Sequence, residues 1–234
     1  MSFAKRMVLV TGAAGNLGRA VADTFFERGT NLVLIGRRLE DLTKAYGSAN
    51  ARRLLAPANL LDQVEVDAAV KSAIERVGRI DALCNIAGGF RMGTPVHETP
   101  DELWQSMLDL NARSVITMAR AVVPPMLAAA SGKIVNVAAM AALAGKAGIG
   151  AYGAAKSATI RLTETMAAEM REKGININCV MPSIIDTPQN RAAMPDADRG
   201  RWVTPAAVAE VILFLASDAA RAIHGAAVPV VGLS

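Results

Sequence analysis

Read for its apolar and polar positions, the chain falls into short β-branched runs separated by longer stretches of helical period. The runs are MVLV at 7–10, NLVLI at 31–35, IDALCNI at 80–86, KIVNVAA at 133–139, ININCVM at 175–181 and AAVPV at 226–230. Helices are expected over about 16–28, 62–77, 101–130, 152–172 and 205–216. The runs lack polar alternation, as strands do when both faces are covered, and parallel strands need crossovers of the length these helices supply. The pattern predicts an α/β fold, a doubly wound parallel sheet in three α/β/α layers. No linker, repeat or charged tail divides the sequence, so residues 1–234 are expected to form a single domain. One stretch, about 183–204, has no periodicity and is rich in Pro, Asp, Arg and Met; such a segment in a compact domain is usually functional, and it is the expected substrate lid.

Composition narrows the function classes. With 52% hydrophobic residues, 20% charged and only 4% aromatic, the chain suits tightly packed helix-on-sheet layers and excludes disorder. The net charge of +4 comes from scattered Lys and Arg with no basic stripe, so no nucleic-acid partner is expected. Gly12 and Gly15 interrupt the first apolar run before a signal-peptide core forms, and no apolar stretch reaches the roughly 18 residues of a membrane span. The expected location is cytoplasmic, with no membrane partner. Cys84 and Cys179 stand alone inside apolar runs, and His97 and His224 have no ligand cluster near them, so neither a disulfide nor a metal is expected.

Directly after the first run stands Thr11-Gly12-Ala13-Ala14-Gly15-Asn16-Leu17-Gly18, leading into a helix. Glycines at 12, 15 and 18 permit a tight turn, close approach to a pyrophosphate and close helix–strand packing, while the helix N-terminus offers free N–H groups. A dinucleotide site is the reading. At the end of the second run, where an NAD-preferring sheet places an Asp or Glu for the ribose, the sequence has Gly36, Arg37 and Arg38. With no carboxylate to repel a 2′-phosphate and two guanidiniums to bind it, NADP is favoured, with NAD as the alternative.

Tyr152 and Lys156 lie four residues apart at the start of a helical stretch and share a face. A Tyr hydroxyl near pKa 10 is a poor acid at neutral pH, and an ammonium at about 4 Å is expected to lower it toward a useful range. The pair suits general acid–base work.

With these motifs in place the sequence resembles the short-chain dehydrogenases/reductases, a Rossmann-like family, over essentially its whole length. The matching residues are the loop at 11–18, Asn85-Ile86-Ala87-Gly88, Asn111, Tyr152-Gly153-Ala154-Ala155-Lys156, and Met181-Pro182 leading to Thr187. The resemblance implies that Tyr152 exchanges the substrate proton and that Lys156 also holds the nicotinamide ribose. It implies that Asn111 anchors a water linking Lys156 to solvent, and that Asn59 and Leu60 flank the adenine. Asn85, Ala87, Gly88 and Pro182 would line the cofactor, and Ile184 and Thr187 would meet the carboxamide. A homodimer or homotetramer, paired through the helices near 101–130 and 152–172, is implied in the same way.

One position departs. Thirteen residues before the Tyr most of the family carries a Ser that orients the substrate carbonyl; here it is Ala139. A narrower resemblance, to quinonoid dihydropteridine reductases, rests on Ala87-Gly88-Gly89, the stretch Ala141–Gly153 and Asp186–Arg191 with Met194–Asp198 and Trp202; that branch also carries Ala at the Ser position. The leading expectation is an oxidoreductase that moves a hydride from NAD(P)H to a small molecule with an activated C=O or C=N bond. Two alternatives remain, a 3-oxoacyl-thioester reductase and a cofactor-binding scaffold without turnover. Arg191, Met194 and Trp202 are the expected lid residues.

Overall fold

The computed structural model describes residues 3–234. Its centre is a sheet of seven parallel strands in the order β3-β2-β1-β4-β5-β6-β7. The strands are β1 (Met7–Thr11), β2 (Asn31–Gly36), β3 (Arg53–Pro57), β4 (Ala82–Asn85), β5 (Gly132–Val137), β6 (Ile175–Pro182) and β7 (Ala227–Val230). The period of two along each strand sends apolar side chains to both faces. Val8 and Val10 of β1 and Leu32 and Leu34 of β2 join one core with Phe25 of α1 (Asn16–Glu27) and Ile212 of α8 (Pro205–Leu215). Met7, Leu9, Val33 and Ile35 join the other, with Val70 of α3 (Gln63–Val77), Met118 and Val122 of α5 (Ser114–Ala128) and Ala167 of α6 (Gly150–Met170). The three-layer α/β/α sandwich is therefore as expected.

Four features go beyond the sequence pattern. The edge strand β3, Arg-Leu-Leu-Ala-Pro, has no β-branched residue, and α2 (Leu39–Tyr46) is eight residues long and buries only Leu42. The expected helix over 101–130 is broken: α4 (Asp101–Leu108) passes through a π-helical turn at Asp109–Arg113 into α5. The fourth is α7 (Pro188–Ala193), a short helix inside the aperiodic segment. It starts there because the Thr187 hydroxyl accepts from the Asn190 N–H at 3.2 Å and Pro188 fits the first turn. No helix among the described residues is long and apolar enough to cross a membrane, and none of their His, Cys, Asp or Glu residues group in a way that could hold a metal.

Candidate active site

From β1 the chain turns one way to β2 and later the other way to β4, so a crevice opens at the carboxyl ends of β1 and β4, where ligands bind in sheets of this kind. The glycine loop sits there. Thr11 closes its base, its hydroxyl accepting the N–H groups of Ile86 (3.0 Å) and Ala87 (3.1 Å) and so tying β1 to the turn after β4. Gly12 takes a left-handed φ of +61°, and a Cβ on it would stand 2.8 Å from the Ala87 Cα; both reasons exclude a side chain. Gly15 caps α1 with no side chain, leaving the first N–H groups of the helix, on Asn16, Leu17 and Gly18, without a protein cap. A Cβ on Gly18 would strike the Gly12 carbonyl. The loop thus has the glycine cradle and the open helix end that a pyrophosphate needs.

The residues expected to meet the adenosine follow β2 and β3. Gly36 presses on Leu42: a Cβ there would lie 2.9 Å from Leu42 Cδ2, so an acidic side chain would not fit without a shift. Arg38 is already engaged, with Nε and Nη2 donating to the Asp41 carboxylate at 2.9 and 2.7 Å. Arg37 is exposed and lines a hollow with Pro57 and Glu65. Of the two guanidiniums expected to meet a 2′-phosphate, only Arg37 is uncommitted among the described residues. Asn59 follows β3, its N–H donating to Glu65 at 2.7 Å, and Leu60 beside it is half-buried.

Tyr152 and Lys156, the pair expected to move the proton, stand on α6. Lys156 is buried, with Nζ donating to the Val137 carbonyl at 2.8 Å and lying 5.9 Å from the centre of the Tyr152 ring. Burial lowers the Lys156 ammonium to about 8 and raises the Tyr152 hydroxyl to about 12. The sequence led us to expect a phenol lowered by its lysine. The two do share a face, but Lys156 points at Val137 and burial of the ring dominates. Phe90 packs edge-on against Tyr152, ring centres 4.9 Å apart at 90°.

Asn111, in the π turn, is buried and clamps the Gly89 peptide from both sides, accepting its N–H at 3.1 Å and donating to its carbonyl at 3.0 Å. A Cβ on Gly88 would meet Asn111 Oδ1 at 2.9 Å and Lys156 Nζ at 3.2 Å, which makes Gly88 the floor between them. Asn85 is spent on structure, donating to Asn136 at 2.8 Å inside the sheet. The sequence reading quoted Thr11 in its motif without a role, and missed Phe90 and Thr159, whose hydroxyl donates to the Asn111 carbonyl at 2.9 Å. Their signal was position alone: each lies within three residues of a motif already singled out.

Ala139 follows β5 in extended conformation and is buried, so no hydroxyl stands at the usual place of the serine. The segment expected to form a lid, about 183–204, leaves β6 after Pro182 and passes the exposed Ile184 and then Thr187, and Asn16 of the glycine loop reaches it, its Nδ2 donating to Gln189 Oε1 at 2.6 Å. Arg191 is held in a two-pronged pair with Asp186 (2.6 and 2.7 Å). Trp202, expected in the lid, is buried, and Val203 beside it bridges to Ile185.

Comparison with known proteins agrees with this geometry. The family described as short chain dehydrogenase matches residues 6–198. The chain belongs to the short-chain dehydrogenase/reductase family. Among its relatives, a 2-(R)-hydroxypropyl-CoM dehydrogenase of Xanthobacter autotrophicus is 33% identical over 95% of this chain and 95% of its own. A cis-4-hydroxycyclohexanecarboxylate dehydrogenase of Sinomonas cyclohexanicum is 34% identical over 99% and 97%. The crystal structure of a levodione reductase superposes with a TM-score of 0.90 at 28% identity, covering 98% of this chain and 97% of that one. As a short-chain dehydrogenase/reductase the protein is an oxidoreductase, of a family that uses NAD or NADP.

Proposed function

We propose that this protein reduces an activated C=O or C=N bond of a small molecule with NADPH, Tyr152 giving the substrate its proton. The observation that carries this reading is the placement of Tyr152 and buried Lys156 on one face of α6, beside Gly88 and across the crevice from the glycine loop. The nicotinamide supplies the hydride when bound. The chain's residues do the rest. Gly12, Ala14, Gly15, Asn16, Leu17 and Gly18 offer backbone donors to the pyrophosphate, and Arg37 its guanidinium to a 2′-phosphate. Asn59, Leu60, Ala87, Pro182, Ile184 and Thr187 border the rest of the dinucleotide.

Lys156, whose pKa is about 8, is largely cationic at neutral pH; it suits holding ribose hydroxyls and steadying the charge that grows on Tyr152 as its proton leaves. Burial leaves the Tyr152 phenol protonated at neutral pH, the form in which it can give a proton. Because Ala139 has no hydroxyl, the substrate's acceptor bond receives one donor fewer than usual, a loss worth about 10²–10³ in rate for an unactivated carbonyl. Electron-poor, conjugated acceptors such as quinones and quinonoid pterins tolerate that loss, whereas a plain 3-oxoacyl thioester does not.

The test is NADPH oxidation across quinones, quinonoid pterins and 3-oxoacyl thioesters, run on wild type and Tyr152→Phe. Turnover of the conjugated acceptors is expected, abolished by Tyr152→Phe with cofactor binding nearly intact. NADPH should bind several-fold tighter than NADH, and Arg37→Asp should reverse the order, since a charge-assisted contact contributes about 1–3 kcal/mol. A thioester preferred over every conjugated acceptor would overturn the substrate class, and more than a few per cent of activity in Tyr152→Phe would overturn the acid.

A further inference from the structure

We propose that Tyr46 is a positioning residue for cofactor binding, its hydroxyl fixing the Ala13–Ala14 peptide of the glycine loop so that the Ala14 N–H faces the dinucleotide. The inference rests on the nicotinamide dinucleotide of the reading above but not on its substrate. Tyr46 is the last residue of α2, and its hydroxyl donates to the Ala13 carbonyl at 2.6 Å. Burial pushes that hydroxyl above its ordinary range, so it stays a neutral donor. Ala13 is itself fully buried, with its N–H bonded to the Ile35 carbonyl at the end of β2 (3.1 Å). The residue is therefore held on both sides, by β2 and by α2.

Among the described residues every peptide bond is trans, and in a trans peptide the carbonyl and the following N–H point in opposite directions. With the Ala13 oxygen drawn inward to Tyr46, the Ala14 N–H must face outward. It has no acceptor among the described residues, and Ala14 is half-buried on the open side of the loop. One half-buried hydroxyl thus aims one backbone donor at the crevice, next to the open N-terminus of α1.

The tyrosine is braced in turn. Leu42, one turn before it, is buried against Gly36. The Arg53 guanidinium stands 5.7 Å from the Tyr46 ring and 3.6 Å over the ring of Phe26, with Asp23 of α1 at 3.8 Å. Edge strand β3, helix α2 and helix α1 are joined through this stack, whose inner end is the hydroxyl on Ala13. No family motif in the sequence marks Tyr46, which lies 31 residues beyond Gly15.

Tyr46→Phe keeps the ring and removes only the donor, so the variant should fold. Fluorescence titration with NADPH and with NADH is expected to show both dissociation constants raised by the same factor, about three- to tenfold, the size of one lost hydrogen bond. At saturating cofactor kcat should stay within about twofold of wild type, so the loss appears in cofactor KM. Tyr46→Leu, which also removes the ring, should melt lower but bind the cofactors no more weakly than Tyr46→Phe. A Tyr46→Phe protein with a lowered melting temperature and unchanged dissociation constants would overturn the proposal by making the hydroxyl merely structural, as would a kcat loss that saturation does not restore. Tyr46-dependent binding in a protein without turnover would leave this proposal standing and remove the hydride-transfer reading. A wild type that binds neither dinucleotide would remove both.

Discussion

Lys156 shows at the scale of one residue how the site is set against the stability of the fold. Taking an ammonium out of water disfavours its charged form, and the Val137 carbonyl returns only part of that loss. Its pKa is about 8 in the folded protein against an ordinary 10.5, so between these values the unfolded chain binds more protons than the folded one and stability rises with pH. Below about 8 both states carry the charge and the full penalty stands. Lys156→Met should therefore abolish turnover yet raise the melting temperature at neutral pH, by about 1–2 kcal/mol of stability once the lost hydrogen bond is discounted. The difference should shrink as pH climbs from about 8 toward 10.5. Thermal unfolding at pH 7 and pH 10 decides it, and a variant that melts lower at pH 7 would contradict the argument. Ala139 is the complementary case. Ala139→Ser adds a hydroxyl to a buried position, so conjugated acceptors should react no faster while simple ketones gain roughly tenfold in kcat/KM. Equal acceleration of both classes would mark Ala139 as a lesion rather than an adaptation.

At the scale of elements, the π turn between α4 and α5 is the feature that places Asn111. A π turn inserts one extra residue and frees backbone groups, which a neighbour must satisfy. Thr159 of α6 does so, with its hydroxyl 2.9 Å from the Asn111 carbonyl and 3.1 Å from Ala155. Thr159→Val keeps the shape and leaves that buried carbonyl short of a donor, so it should cost about 1–3 kcal/mol in urea unfolding, whereas Thr159→Ser should cost little. Equal losses would mean that packing, not the hydroxyl, holds the turn. Such a turn was not legible in the sequence, because α4, the turn and α5 share one apolar period over 101–128. Strands β1, β2, β4, β5 and β6 were legible because they are apolar and mostly buried, and β7 because its short apolar run follows the last helix; β3 was not, because Arg53 and Pro57 bound a short edge strand. In the site, glycines were legible wherever a Cβ would clash, as at 12, 18 and 88. The engagement of Arg38 by Asp41 and the bond from Tyr46 to Ala13 depend on pairings that periodicity does not carry.

Over the whole molecule, the two faces of the sheet bury their apolar positions, but the outer side of the α4–α5 arm does not. Trp104 (43% exposed), Ile116 (37%) and Leu127 (38%) are exposed along it, while Leu110 turns its side chain toward Gly89. Large apolar side chains gathered on one helical arm mark an association surface more often than a solvated one, and the family resemblance implies pairing through this same arm. Sedimentation should accordingly find a dimer or tetramer, and Ile116→Arg, which places a charge on the exposed flank of α5, should shift the protein toward monomer with its circular dichroism unchanged. The inner side of the arm carries Asn111, which clamps Gly89 beside the Tyr152–Lys156 pair. A π turn braced on one side by Thr159 and on the other by a second subunit should loosen when that subunit leaves. Monomeric Ile116→Arg is therefore expected to lose most of its turnover while still binding NADPH through the glycine loop. A wild type that sediments as a monomer at micromolar concentration would remove the surface, and a fully active monomeric variant would show that the clamp on Gly89 holds without a partner.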